Sequence, residues 1–484
     1  MGQYPIRRPI KLAIIVAIAP LTGCVSLAFQ QNAPVPIAQY WHATLPHDGK
    51  TSDLVAWWGT FHDPALTTLQ LAAETSSPDL ATAWANIQKA RATLASARAG
   101  FFPSLTGTAS ATRSGTEGDK TNEIAASTTG SGGMDASWEI DLFGKLRRQA
   151  DAAAHRVAEE AANWHDARVS LAAEVADYYV QYRACRQIER SYSEELASQR
   201  QTIRATQTAA ASGLTSSADL ALAQASAASS SSTLTSQTSE CEVLIKTLAE
   251  LTGGDEPQLR IVLKQGNSSI PSPSTFAVRT LPADMVRQRP DVVSLERELA
   301  ATAAEVGVAQ ADFYPSLSLG GSITINQSSL TGTSIPWSFG PSLSIPVFDQ
   351  GQRRAAFDTA VAGYQIAFQS YRSGILGAVS EVETALIRID ATRRRIGDTS
   401  VAAKNYRAYF AAIDENWRAG GASLLDREEA RRSAQSAEIS LIEVRRDAVR
   451  YWIALYKALG GGWGNAAAKT ITQKVAATTK GNVP

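Results

Sequence analysis

Residues 77–105 and 289–317 are one segment written twice. SPDLATAWANIQKARATLASARAGFFPSL aligns without a gap on RPDVVSLERELAATAAEVGVAQADFYPSL, at an offset of 212. Pro78 and Asp79 meet Pro290 and Asp291. Phe101, Phe102, Pro103, Ser104 and Leu105 meet Phe313, Tyr314, Pro315, Ser316 and Leu317. Three more matches follow in the same order. The run from Trp138 through Phe143 to Arg148 echoes the run from Ser344 through Phe348 to Arg354. Gly213 with Asp219 echoes Gly420 with Asp426, and Leu251-Thr-Gly-Gly254 echoes Leu459-Gly-Gly-Gly462. A chain that repeats itself over roughly 175 residues folds as two like units. The repeats are expected at 77–254 and 289–463. An equatorial connector rich in Pro and Ser fills 255–288, a segment at 24–76 precedes them, and a flexible tail occupies 464–484.

Each copy has the same grammar. A helix opens on a Pro-Asp pair, with the Asp expected to cap the orphan amides. It ends before Phe101-Phe102-Pro103 or Phe313-Tyr314-Pro315, because a residue preceding proline is pushed out of the α region. Two segments rich in Ser, Thr and Gly follow, 104–113 with 131–140 and 316–326 with 335–345. Ser316-Leu-Ser-Leu and Ser322-Ile-Thr-Ile alternate with the period of a strand. The polar stretch 114–130 is expected to be a long loop and 327–334 a short one. Proline-free helices are then expected over 145–211 and 351–417. At 1.5 Å per residue each spans about 100 Å, too long to stand unpaired. Leu171, Val175, Tyr178, Tyr182, Cys185, Tyr192 and Leu196 mark a heptad seam, as do Val379, Val382, Leu386, Ile389 and Ile396. Gly213 and Gly420-Gly421 break the helices, and a second helix returns. Its seam in the first copy is Leu234, Cys241, Leu244, Leu248 and Leu251. The fold class is therefore mainly α with a small β part: a tandem repeat of long coiled-coil hairpins, each with a β-hairpin.

The first 23 residues read as an address. Arg7, Arg8 and Lys11 precede a short apolar run, Leu12–Ala19, as in a secretory signal peptide. Leu21-Thr-Gly-Cys24 resembles the lipobox of bacterial lipoproteins, which makes Cys24 the expected lipidation site. Val25 is not the Asp that holds such lipoproteins at the inner membrane, so the resemblance implies a bacterial outer-membrane location. One acyl chain anchors only marginally, so a second membrane element is expected. Composition narrows the function. Lys+Arg and Asp+Glu both number 46, which argues against a nucleic-acid partner. Three cysteines are too few for a disulfide framework or a Cys-rich zinc site. The five histidines are scattered, and no HExxH, Walker, GxSxG or CxxC pattern occurs. No catalytic residue, metal or cofactor beyond the lipid is expected, and the chain is not read as an enzyme.

Asp53-Leu-Val-Ala-Trp57-Trp58-Gly-Thr-Phe61-His-Asp63-Pro64-Ala-Leu66, then Ser77-Pro78-Asp79-Leu80, resembles the opening of TolC-like outer-membrane factors of the NodT-type lipoprotein branch. Leu281-Pro282, Arg289-Pro290-Asp291 and Phe313-Tyr314-Pro315-Ser316-Leu317 resemble the start of that family's second repeat. The resemblance covers about 53–463. It implies a homotrimer whose protomers each give four strands to a 12-strand β-barrel and whose helices continue it as a trimeric α-barrel extending into the periplasm. It further implies an exit duct for small molecules such as drugs and toxic compounds in a tripartite pump. The partners would be a periplasmic membrane-fusion adaptor and a proton-driven inner-membrane pump, since this chain has no nucleotide site. A duct for type I protein secretion and a lipid-anchored periplasmic adaptor without a pore are the alternatives. Family position puts Glu429 and Arg432 at the periplasmic gate, three apart on one helix face. Asp219 and Asp426 are read as tip caps or gates, and Trp417-Arg418 as a brace of the closed tip. The three residues before the first strand of each copy, Phe101, Phe102 and Pro103 and then Phe313, Tyr314 and Pro315, are read as the helix-to-barrel corners. Cys185 lies 28 residues before Gly213 and Cys241 lies 28 after it. They are expected at one level of the hairpin, either bridged or packed as two small apolar side chains.

Overall fold

A computed structural model describes residues 54–117, 124–265, 268–274, 286, 288–329 and 331–461. The leader, Cys24 and the tail lie outside the described residues. A 3-10 helix, Leu54–Phe61, precedes α1 (Pro64–Ser76). The first repeat is α2 (Pro78–Ala99), β1 (Ser104–Glu117), β2 (Ile124–Ile140), α3 (Lys145–Ala211) and α4 (Ser217–Thr252). A short helix, α5 (Glu256–Gln265), lies in the connector. The second repeat is α6 (Pro290–Ala311), β3 (Ser316–Ser328), β4 (Gly332–Ser334), β5 (Trp337–Ser344), α7 (Gln352–Arg418) and α8 (Leu424–Ala458).

Three sequence expectations change. Asp79 and Asp291 do not stand at the cap position. Proline occupies the first helical position, where its missing N–H is no loss, so the cap falls one residue earlier. Ser77 Oγ accepts from Leu80 N at 3.4 Å, whereas Arg289 makes no side-chain cap. Asp291, inside the first turn, accepts one orphan amide, from Val292 N at 2.9 Å, and takes Arg289 through two bonds of 3.0 and 2.7 Å. The stretch 114–130 is mostly strand, because β1 and β2 stay paired from Ser104↔Ser137 to Glu117↔Ile124. The last strand is split at Ile335-Pro336, since proline has no N–H for the ladder. The Pro336 carbonyl still accepts from Thr324 N at 3.0 Å.

Each repeat supplies an antiparallel hairpin, and β2 pairs with β3 to join them, from Thr129↔Ser328 to Ile140↔Leu317. The order is β1-β2-β3, with β4 and β5 following one another along the far side of β3. The helices keep this order. α2 packs on α3, α3 on α6 and α6 on α7. Among the described residues of one protomer, β1 and the β4/β5 side each keep an edge without a strand partner, and α2 and α7 end the row of helices α2-α3-α6-α7.

The main core sits halfway along α3. Trp57 is fully buried there, stacked on Tyr456 at 5.1 Å, and its Nε1 donates to Ser274 O at 3.1 Å. Leu171, Val175, Tyr179, Val180, Leu248, Leu386 and Leu455 surround it. Asp63 ties the entering chain to this core. Its Oδ1 accepts from Ala65 N and its Oδ2 from the Tyr179 hydroxyl at 2.6 Å. Arg183 donates to the same hydroxyl at 2.8 and 2.6 Å. Burial, then the bond to Asp63, pushes the Tyr179 phenol up.

His165 lies near this core, buried and edge-on to Trp164 at 4.9 Å. Burial, with Arg168 adding to it, holds its imidazole down to about 4. The unfolded chain takes up a proton near pH 6.5 that the folded chain refuses until about pH 4. Stability from this group is full above pH 6.5 and falls as the pH drops towards 4. His165→Gln should flatten the decline of the unfolding midpoint across that window; an unchanged slope would remove His165 as its source.

Candidate functional site

Strand register sorts the sheet into two faces. On one lie Leu105, Ala109 and Ala111 of β1, with Met134, Ala136 and Trp138 of β2. Leu319, Ile323 and Ile325 of β3, and Trp337, Phe339 and Leu343 of β5, continue the same face. Most of its large side chains are open to solvent in the single chain: Trp337 is 76% exposed and Ile325 55%. The opposite face carries Thr106, Thr108, Ser110, Ser131, Asp135, Glu139, Ser318, Ser322, Thr324 and Ser338. Hydroxyls bridge its strands, Ser110 to Ser131 at 2.8 Å and Ser322 to Ser338 at 2.9 Å. A sheet apolar on one face, polar on the other and without a buried core suits a wall between hydrocarbon and water.

The corners turn this wall into the helices. Trp138 Nε1 donates to Phe101 O at 2.9 Å. Phe143 stacks on Tyr314 at 4.9 Å, which joins the corner of one repeat to that of the other, and Phe313 meets Phe357 at 5.9 Å. Phe102 is left 70% exposed beside them. Pro103 and Pro315 stand at the turns into β1 and β3.

At the far end both hairpins turn by the same device. Gly213 and Gly420 adopt positive φ, 70° and 81°, which only glycine takes without cost. Leu214 N then donates back to Ala209 O at 2.9 Å, and Gly421 N to Asn416 O at 2.8 Å. Three residues on, Ser216 with Asp219 and Ser423 with Asp426 close identical capping boxes. Hydrogen bonds from Thr215 and Ser216 hold the Asp219 carboxyl below the usual range, and those from Ser423 do so for Asp426. The matched spacing of Gly and Asp is thus a helix stop and a helix start.

Above this turn the structure buries a charge cluster one residue away from the pair that family position suggested. Glu429 and Arg432 are exposed, and among the described residues neither has an ion-pair partner. Arg427, Glu428 and Arg431 are buried instead. Arg431 joins Glu195 of α3 and, at 2.9 Å, Glu428. Arg427 reaches Asp414 of α7 at 2.6 Å, Glu428 at 3.0 Å and Thr202 of α3 at 2.9 Å. Gln199 lies 3.4 Å from Glu428 and 3.3 Å from Ser230 of α4. Trp417 covers the Arg427 guanidinium at 4.7 Å, and Arg418 pairs with Asp414 at 2.6 Å. With Arg418 the cluster has three cations and three anions, Glu195, Asp414 and Glu428. It stitches α3 and α4 to α7 and α8. The signal was present: stepping down by sevens from Tyr456, Val449 and Ile442 lands on Gln435 and Glu428.

Higher up, Cys185 and Cys241 are joined by a disulfide, with Cα atoms 5.7 Å apart. Of the two arrangements left open by their spacing, the hairpin has the bridge.

A two-faced sheet of hairpins continued by 67-residue helices defines a TolC-like channel of the outer-membrane type. Comparison with known proteins gives the family. This chain belongs to the outer membrane efflux protein family, whose model matches residues 69–254 and 281–461. Nodulation protein T of Rhizobium leguminosarum bv. trifolii is 28% identical, covering 92% of this chain and 95% of that protein. The pyoverdine export outer membrane protein OpmQ of Pseudomonas aeruginosa is 29% identical, covering 93% and 97%. Among solved structures, the outer-membrane channel OprN superposes with a TM-score of 0.78 at 29% identity, over 89% of this chain and 98% of that one. The open state of the Neisseria gonorrhoeae MtrE channel gives 0.76 at 25%, over 89% and 96%. Among the described residues no helix is long and apolar enough to cross a membrane.

Proposed function

We propose that three copies of this chain close an outer-membrane exit duct for small molecules, including drugs and toxic compounds, in a tripartite efflux pump. The observation that carries this is the sheet with two sorted faces and two open edges. Open edges are not tolerated in hydrocarbon, so β1 of one copy must pair with the β4/β5 side of the next. Three copies then close twelve strands, and the same operation joins α2 to α7 and closes the helical tunnel. The apolar face meets lipid and the hydroxyl-rich face lines the duct. The far ends of the helical hairpins stand in the periplasm, where a membrane-fusion adaptor and a proton-driven inner-membrane pump supply cargo and energy. Cys24 carries the lipid, which directs the chain while the barrel holds it.

A duct that is always open would leak, so the tip must be able to close. The buried cluster of Glu195, Asp414, Arg427, Glu428 and Arg431 serves as the latch between the two hairpins of each copy, and Trp417 with Arg418 braces it. The names of the relatives support export; one is a pyoverdine exporter.

Purified protein in planar bilayers tests the reading. Stepwise conductance from a particle of three chains is expected. A monomer without conductance would favour the adaptor alternative. Cys24→Ser should remove the lipid yet leave the trimer in the outer membrane; a soluble monomer after that change would refute the barrel.

A further inference from the structure

The disulfide lies at a boundary inside the long hairpins. On the sheet side of it the interior between helices is mainly apolar, with Leu171, Val175, Tyr179 and Val180 of α3, Ile245 and Leu248 of α4, Leu386 and Ile389 of α7, Val449 and Ile453 of α8 around the few buried polar side chains, such as Asp63, His165 and Arg183. At its own level Ala184, Ile188 and Ile442 form a last small apolar cluster. On the tip side the interior changes character. There the buried described residues are Gln199, Thr202, Thr206, Ser230, Asp414, Arg427, Glu428 and Arg431, with a few alanines and two leucines, Leu196 and Leu424. The buried Gln435 Nε2 finds no hydrogen-bond partner there among the described residues.

The two interiors respond differently to separation. Pulling the apolar part apart exposes hydrocarbon to water, with a penalty proportional to its area. The polar part regains hydration as it opens, which offsets much of the lost pairing. Gln435 gains a partner by opening. The tip half is therefore the part built to part, and the sheet half the part built to stay. Cys185 and Cys241 fasten α3 to α4 where one meets the other, and they close the 56-residue tip loop covalently.

We propose that the Cys185–Cys241 disulfide is the fulcrum of gate opening, a positioning element that confines the parting of α3 from α4 to the tip side of its own level. This rests on the duct reading for its purpose, but its physical content is a boundary within one protomer.

Amide hydrogen exchange on the assembled protein, with and without the bridge, tests it. In the wild type, amides on the tip side, 190–210 and 219–238, should exchange faster than those at 171–184 and 242–252. In Cys185→Ser/Cys241→Ser the boundary should move towards the sheet, with exchange at 178–184 and 242–248 rising about tenfold. Should that variant fail to assemble, wild-type trimers treated with a thiol reductant after assembly give the same comparison. A bridge that merely adds stability would raise exchange uniformly along both helices, and a boundary that stays in place would also overturn the proposal. Single-channel records supply the second readout. A latch-opened variant, Arg431→Ala, should show one main open level with the bridge and a spread of levels without it. An identical level distribution in both overturns the fulcrum. Absence of conductance from every variant would instead count against the duct, leaving the exchange boundary to decide the fulcrum.

Discussion

Arg431→Ala is expected to open the periplasmic end and raise single-channel conductance several-fold. The change leaves Glu195 and Glu428 buried with their shared cation gone. Breaking one partner of a buried pair costs about 3–5 kcal/mol, because the remaining charge keeps its desolvation penalty. The closed state of each protomer bears that cost, and three-fold symmetry applies it three times. Two comparisons separate this from general damage. Glu429→Ala/Arg432→Ala removes exposed charges and should leave conductance near wild type, since such changes are usually worth within about 0.5 kcal/mol. Replacing the ionic contact by an apolar one, Glu195→Met/Arg431→Met, should reclose the tip partly, because a packed apolar pair can substitute for a buried ion pair. Wild-type conductance in Arg431→Ala would move the latch elsewhere.

Ile323→Arg is expected to prevent assembly in the outer membrane. Ile323 lies between Met134 and Trp337 on the apolar face. A cation on the lipid face near the midplane costs about 2–4 kcal/mol per chain, paid three times in a trimer. Its neighbour provides the control. Ser322 lies on the opposite face, opposite Asp135 and Ser338, so Ser322→Arg should insert and add a positive ring to the duct. Its visible effect should be a reversal potential shifted towards anions. Heat-resistant trimers in outer-membrane fractions and bilayer recordings read both. Normal insertion of Ile323→Arg alongside failure of Ser322→Arg would mean that the two faces have been assigned the wrong way round.

Much of this architecture is legible in the chain, because it depends on local rules repeated twice. Proline-free heptads set the long helices, and the positive-φ glycines with Ser-x-x-Asp set both tips. Period-two alternation gives strands their faces before any pairing is known. Its limits are equally specific. Seams were read from apolar residues, so the stretch of α8 where the seam turns charged was not followed to Glu428, and Glu429 and Arg432 came from family position instead. Asp79 and Asp291 looked like caps because the residue type is right, but the proline ahead of each had already taken the first helical position. The loop expected at 114–130 was judged by polarity, yet a strand lining water is polar on that face too.

The sequence by itself determined the two-fold repeat, the lengths of the helices and the alternation of the strands, since each follows from spacing along one chain. Only the tertiary structure decided which hairpins join, through β2 on β3. It also decided that Cys185 meets Cys241 and that Glu195 meets Arg431 across more than two hundred residues. The physical reason is range. Backbone geometry and periodicity act over a few residues and leave a local mark. A buried ion pair depends on two surfaces excluding water together, and nothing in either segment alone records the other.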